Sequence, residues 1–132
     1  MQVTMTTVRP AAATDAPAPR SPCPVACSLD ILGDRWTLLV IRDLFAGKSR
    51  FGELLLSPEH IPTNILAERL KRLERAGVVS STAYSQHPPR FDYHLTQRGR
   101  ELAPVVDAIA VWGLVQFPGT RRGVRTPGYE LP

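Results

Sequence analysis

The apolar pattern of this chain changes period at Gly77 and changes back at Thr96. Upstream of Gly77, large apolar residues recur every three to four positions, the spacing that gathers them on one face of a helix. Between Val79 and Leu95 the period is two: Phe91, Tyr93 and Leu95 alternate with Asp92 and His94, as in a half-buried strand. Past Thr96 the helical spacing returns. The fold class this predicts is mainly α with one small β-hairpin (α+β).

Glycines and prolines punctuate the helical part. Val25–Leu32 is a short apolar-rich segment that Gly33 stops. Asp34 is placed to cap a second helix over Arg35–Ala46, with Trp36, Leu39, Val40, Leu44 and Phe45 on one side and Gly47 after it. Phe51–Leu56 forms a brief third helix, and Ser57–Ile61 reads as a turn. Pro62 suits the first turn of the next helix, where its missing N–H would be unbonded anyway. That helix runs to about Ala76 on a stripe of Ile65, Leu66, Leu70 and Leu73. Val79–Tyr84 is β-prone and joins the alternating strand through a stiff loop, Ser85–Arg90, containing Pro88 and Pro89. Thr96 caps a long last helix to about Phe117, which Pro104 should kink or split. Helix, helix, turn, helix and hairpin, followed by a long helix free for dimerisation, is the order of a winged helix-turn-helix domain.

A chain of 132 residues has room for one such domain. Residues Met1–Pro22 are Ala, Thr and Pro with few large apolars, so they bury too little surface to offset their ordering entropy. They are expected to be a disordered arm, Cys23–Phe117 the folded part, and Pro118–Pro132 a flexible tail. No apolar run approaches the roughly 18 residues a membrane helix needs, and no signal pattern opens the chain, so a cytoplasmic location and no membrane partner are expected. Cys23 and Cys27 are too few for a disulfide framework. His60, His87 and His94 are scattered over turn and hairpin, without metal-ligand spacing or a Gly-rich phosphate loop. Neither catalysis nor a metal or other cofactor is expected.

The net charge of +4 decides little by its sign. Its placement says more: between Lys48 and Arg100 nine Lys or Arg face five Asp or Glu, in the region the helix-turn-helix would occupy.

Five pieces of sequence carry a resemblance to a known family. They are Cys23-Pro24 with Leu29 and Gly33-Asp34-Arg35-Trp36; Arg42-Asp43-Leu44; and Arg50-Phe51-Gly52-Glu53-Leu54. The fourth is Ile61-Pro62-Thr63-Asn64-Ile65-Leu66 with Arg69-Leu70, Leu73 and Gly77. The last is Tyr84, Pro88-Pro89-Arg90, Tyr93 and Leu95-Thr96, with Gly99. In this order and spacing the stretch from Cys23 to Trp112 resembles the HxlR-type regulators. The resemblance implies a winged-helix transcriptional regulator, by family habit a repressor, that binds double-stranded DNA as a homodimer built from its terminal helices. Asp34 stands where the family often has Gly, and Cys27 is a cysteine the family does not require.

On that frame Pro62–Ala76 is the recognition helix. Its core-facing leucines leave Thr63, Asn64, Ala67, Glu68 and Lys71 outward, and the first residues of such a helix reach base edges in the major groove. Asn pairs bidentately with adenine, while Thr offers a hydroxyl or methyl. Thr63 and Asn64 could equally serve as helix-start residues that satisfy backbone groups. Arg69, Lys71, Arg72 and Arg75 are candidates for phosphate contacts or for a solvated face paired with Glu68 and Glu74. Lys48, Ser49 and Arg50 are further phosphate candidates. Arg90, held out by the prolines, is a candidate for the minor groove or a phosphate, or else a surface partner of Asp92.

Val25, Leu29, Leu102, Val106, Ile109 and Trp112 form the expected dimer interface, because so small a domain has little else to cover them. Cys23 aligns with a cysteine that some members of the family use to sense oxidants or electrophiles, and a thiol at a helix N-terminus is more readily ionised. An inert residue in the dimer contact is the other reading of it. A small-molecule effector between the helices and the wing is a further partner the sequence leaves open. The competing function is a winged-helix protein–protein module without specific DNA binding.

Overall fold

A computed structural model describes residues 19–123. Residues 1–18 of the expected N-terminal arm and 124–132 of the expected tail lie outside the described residues.

The helices begin and end where local chemistry dictates. Helix α1 (Pro24–Leu32) has proline in its first turn and stops at Gly33, whose N–H donates to the Leu29 carbonyl at 2.8 Å. A Cβ on Gly33 would come within 2.4 Å of that oxygen, so no larger residue fits this tight exit. Helix α2 (Thr37–Phe45) starts two residues later than the sequence suggests. The cause is Asp34, whose Oδ1 accepts from the backbone N–H of Trp36 (2.8 Å) and Thr37 (3.0 Å), folding Asp34–Trp36 into a turn before the helix. Helix α3 (Phe51–Leu54) is shorter than expected. Glu53 reaches back to accept from the N–H groups of Ser49 (2.9 Å) and Arg50 (3.0 Å), satisfying donors that a helix start leaves open. Helix α4 (Thr63–Arg75) ends at Gly77, in the left-handed region with φ +74°.

Strands β1 (Val79–Gln86) and β2 (Pro89–Leu95) form an antiparallel hairpin in register from Val79↔Leu95 to Gln86↔Pro89, with an irregularity between Ala83 and Ser85. The strands are longer than the sequence indicates, and the loop shrinks to His87-Pro88. Pro89 is tolerated because it opens a strand in a two-stranded sheet. Arg50 adds a one-residue bridge opposite Asp92, so the wing is anchored to the start of α3.

The last helix is split. Helix α5 (Gln97–Arg100) is capped by Thr96, whose Oγ1 accepts from Gly99 N–H at 3.1 Å and donates to the Gly77 carbonyl at 2.6 Å. Helix α6 (Ala103–Gln116) restarts with Pro104 in its first turn. The proline thus sits where a helix tolerates it, and the break falls just before it. Together the elements make an α+β winged helix-turn-helix.

Ile41, Leu54, Leu66, Leu70 and Leu73 are the large, fully buried apolar side chains at the junction of α2, α3 and α4, with Val78 and Val79 closing the core from the hairpin. Burying a leucine side chain contributes roughly 1.5–3 kcal/mol, so the α4 stripe is the main reason this helix sits where it does. Helix α6 turns Ala103, Val106 and Asp107 toward this body and leaves Val105, Ile109, Val111, Trp112 and Val115 exposed. A helix apolar on nearly every side is a helix with more than one partner.

Candidate nucleic-acid interface

The helix-turn-helix consists of α3 and α4, and three polar links hold it from behind. The first joins α2 to the intervening turn. Arg42 donates to both carboxylate oxygens of Glu59, at 2.8 and 3.0 Å, and also to Asp43 Oδ1 at 2.9 Å. Asp43 is 6% exposed, and its other oxygen takes the Ser57 hydroxyl. The hydrogen bonds from Arg42 hold the Glu59 carboxyl below its ordinary range. A buried carboxylate is costly unless paired and hydrogen-bonded, and here an arginine and a serine do both.

The second link joins the α1–α2 turn to α4. Arg69 Nε lies 3.1 Å from Asp34 Oδ1, the Thr37 hydroxyl donates to Oδ2 at 2.5 Å, and an Arg72 nitrogen stands 3.9 Å away. Burial alone would raise the Asp34 carboxyl, but the hydrogen bonds from Thr37, Trp36 and Arg69 outweigh it and hold it at about 2.

The third link joins α3 to the wing. Arg50 Nε donates to Asp92 at 3.0 Å while its guanidinium stacks 3.7 Å from the centroid of the Tyr84 ring. Tyr93 N–H donates to the Ser49 carbonyl at 2.7 Å.

These links sort the residues singled out from the sequence. Thr63, Asn64 and Lys71 are exposed along α4, and among the described residues their side chains make no hydrogen bond or ion pair. The helix start is not capped by a side chain at all. Ala67 is half-buried, and Glu68 is exposed and pairs with Arg69 and, at 3.8 Å, with Arg72. Arg69 is turned inward with 16% of its side chain exposed, and Arg72 is half-buried. Ser49 and Arg50 are engaged with the wing, whereas Arg90 is exposed on β2 opposite Ser85. Asp92 takes Arg50 as its partner rather than Arg90. Lys48 is half-buried beside a cavity of about 600 Å³ between α2, β2 and α5, the region between helices and wing.

The Arg42–Asp43–Ser57–Glu59 network is absent from the sequence reading. Its one signal was an Arg-Asp pair set inside the apolar stripe of α2.

Of the expected dimer residues, Val25, Leu29, Ile109 and Trp112 are exposed, while Leu102 and Val106 are half-buried against the body of the domain. Val105, Val111, Leu114, Val115 and Phe117 extend the exposed apolar face. Cys23, exposed, stands at the N-terminal boundary of α1, and its N–H donates to Ser21 Oγ at 3.0 Å. Cys27 donates its thiol to the Ser21 carbonyl. Arg20 pairs with Asp30 at 2.6 Å, and Arg122 pairs with the buried Asp107. No helix among the described residues is long and apolar enough to cross a membrane.

Residues 31–120 match the family model of the HxlR-like helix-turn-helix. The chain belongs to that family. It is 41% identical over 87 residues to an uncharacterized HTH-type transcriptional regulator of Synechocystis, a match covering 66% of this chain and 64% of the relative. The chain thus spans less than two thirds of that relative's length. Among solved structures, PA1607 superposes with a TM-score of 0.71 at 37% identity, covering 86% of this chain and 82% of that one. The redox regulator HypR in its reduced form gives 0.67 at 33% identity, covering 73% and 95%. Within this HxlR-like chain, the matched region contains all three links that hold α3, α4 and the wing together.

Proposed function

We propose that this chain is a DNA-binding transcriptional regulator, a repressor acting as a homodimer on an inverted-repeat operator. The observation that carries the reading is at the start of α4. Thr63 and Asn64 are exposed there and their side chains make no hydrogen bond or ion pair among the described residues, while Arg69 and Arg72 further along the helix are held by Asp34. Residues that only completed a helix start would bond to its backbone. These two are presented outward, as base-reading residues of a recognition helix are. Lys71 follows on the same helix and Arg90 on the wing, both suited to phosphates or a groove edge. Arg69 and Arg72 act chiefly as internal ties, and Arg50 as the hinge of the wing.

Dimerisation is supported by the apolar surface that α1 and α6 leave open. Trp112 is 60% exposed and Val115 74%, on a helix whose opposite side is already committed. A contiguous patch of this kind marks an interaction surface, and two-fold pairing would cover it. Response to a thiol-reactive signal is supported by the exposure of Cys23 and by the likeness to HypR.

The test is a fluorescence-anisotropy titration against DNA from upstream of the protein's own gene and its divergent neighbour, at two salt concentrations, with and without diamide. Saturable, salt-sensitive binding that prefers this DNA to scrambled DNA is expected. Loss of binding with diamide in the wild type but not in Cys23→Ser identifies the sensor. Equal binding to every sequence sinks the operator reading in favour of a protein–protein module.

A further inference from the structure

A cavity of about 480 Å³ lies between α2, the turn that leads into α4, the inner side of α6 and the segment Arg121–Gly123. It shares no lining residue with the exposed start of α4, with Arg90 or with the outer apolar face of α6; of the candidate phosphate contacts only Lys48 borders it. Its volume is within the range of small-molecule sites, about 300–1,000 Å³. Phe45, Val106 and Ala110 supply apolar wall, and Ala110 is the small residue that keeps the α6 side open.

Four cations border the cavity: Arg42, Lys48, Arg121 and Arg122. The carboxylates in reach are those of Asp43 and Glu59, both already bonded to Arg42, and Asp107, paired with Arg122. Lys48 and Arg121 form no ion pair among the described residues. Arg42 takes two of the three carboxylates, so among the described residues these four cations and three carboxylates leave a net single positive charge beside an apolar wall. We propose that this cavity binds a small monoanion with an apolar body, an aromatic or branched carboxylate.

The position adds a consequence, which rests on the DNA-binding reading above. Arg42 and Glu59 both border the cavity, and their bidentate pair fixes the turn before the recognition helix. An entering carboxylate competes with Glu59 for Arg42 and loosens that turn, so it acts on DNA affinity without touching DNA.

Isothermal titration calorimetry of the full chain with 2-naphthoate, and with its neutral amide, tests the site directly. Saturable naphthoate binding at least tenfold tighter than the amide is expected. Ala110→Leu, which fills the cavity, should weaken naphthoate at least tenfold, and Arg121→Gln should narrow the difference between acid and amide. Absence of saturable naphthoate binding, equal affinity for the amide, or wild-type affinity in Ala110→Leu overturns the site. A second titration follows DNA anisotropy in saturating naphthoate, where a fivefold or greater loss of affinity is expected. Unchanged DNA affinity with ligand bound overturns the coupling through Arg42 and Glu59. The calorimetry does not depend on DNA, so failure of the site and failure of the DNA reading give different results.

Discussion

Arg69, two turns into α4, points its guanidinium back at Asp34 in the turn between α1 and α2, with Nε 3.1 Å from Oδ1. The same carboxylate caps α2 through Trp36 and Thr37. One acidic side chain therefore starts one helix and sets the position of another.

Replacing Asp34 should cost more than a lost cap. Asp34→Ala removes the backbone acceptor, which costs about 0.5–2 kcal/mol at such positions, and leaves the largely enclosed Arg69 with Glu68 alone as its partner. A combined loss of about 2–3 kcal/mol is expected, read as a lower urea midpoint with unchanged slope. A change under 0.5 kcal/mol would show that the pair is ornamental.

The pH dependence of stability follows from the same group. Its folded-state value of about 2 is below the ordinary 3.8, so its contribution is complete above pH ~4 and is lost as pH falls from there toward 2. Urea titrations of wild type and Asp34→Asn between pH 6 and 2.5 should converge at the acid end. A constant difference between them would refute the assignment.

Ser57→Ala should destabilise the domain by about 1–3 kcal/mol, because it leaves the buried Asp43 oxygen without its donor. Thermal unfolding measures this. Ser57→Thr, which keeps a hydroxyl, should recover part of the loss.

For DNA, Asn64→Ala should weaken operator binding by about 1–3 kcal/mol and leave scrambled DNA nearly unchanged. Arg90→Ala should weaken both and reduce the salt slope. Anisotropy at several salt concentrations separates the two patterns, and an unchanged slope for Arg90→Ala would remove it from the interface.

Charge on the outer face of α6 should prevent pairing. Ile109 is 51% exposed, and Ile109→Glu should fold as a monomer, seen by light scattering with an unchanged circular-dichroism spectrum. A wild-type chain that is itself monomeric at micromolar concentration would end the dimer reading.

Much of this domain was legible in the amino-acid order because it rests on local physics. The stop at Gly33, the cap at Thr96, the split near Pro104 and the change of period at Gly77 each depend on a few neighbouring residues, and the structure bears them out. Boundaries that depend on tertiary contacts were misplaced. The hairpin lengthened because pairing continues to Pro89, and the α2 start moved for a local reason, Asp34 folding the residues just before it. The charges show the division most clearly. From sequence, helical periodicity sets Lys71 outward, and Arg50, Arg69 and Arg72 remain candidates for phosphate contacts. Only the tertiary structure shows that Arg69 and Arg72 are held by Asp34 and Arg50 by Asp92. Helical periodicity reports which side of a helix is apolar, but an ion pair between residues 35 apart exists only once the chain has folded them together.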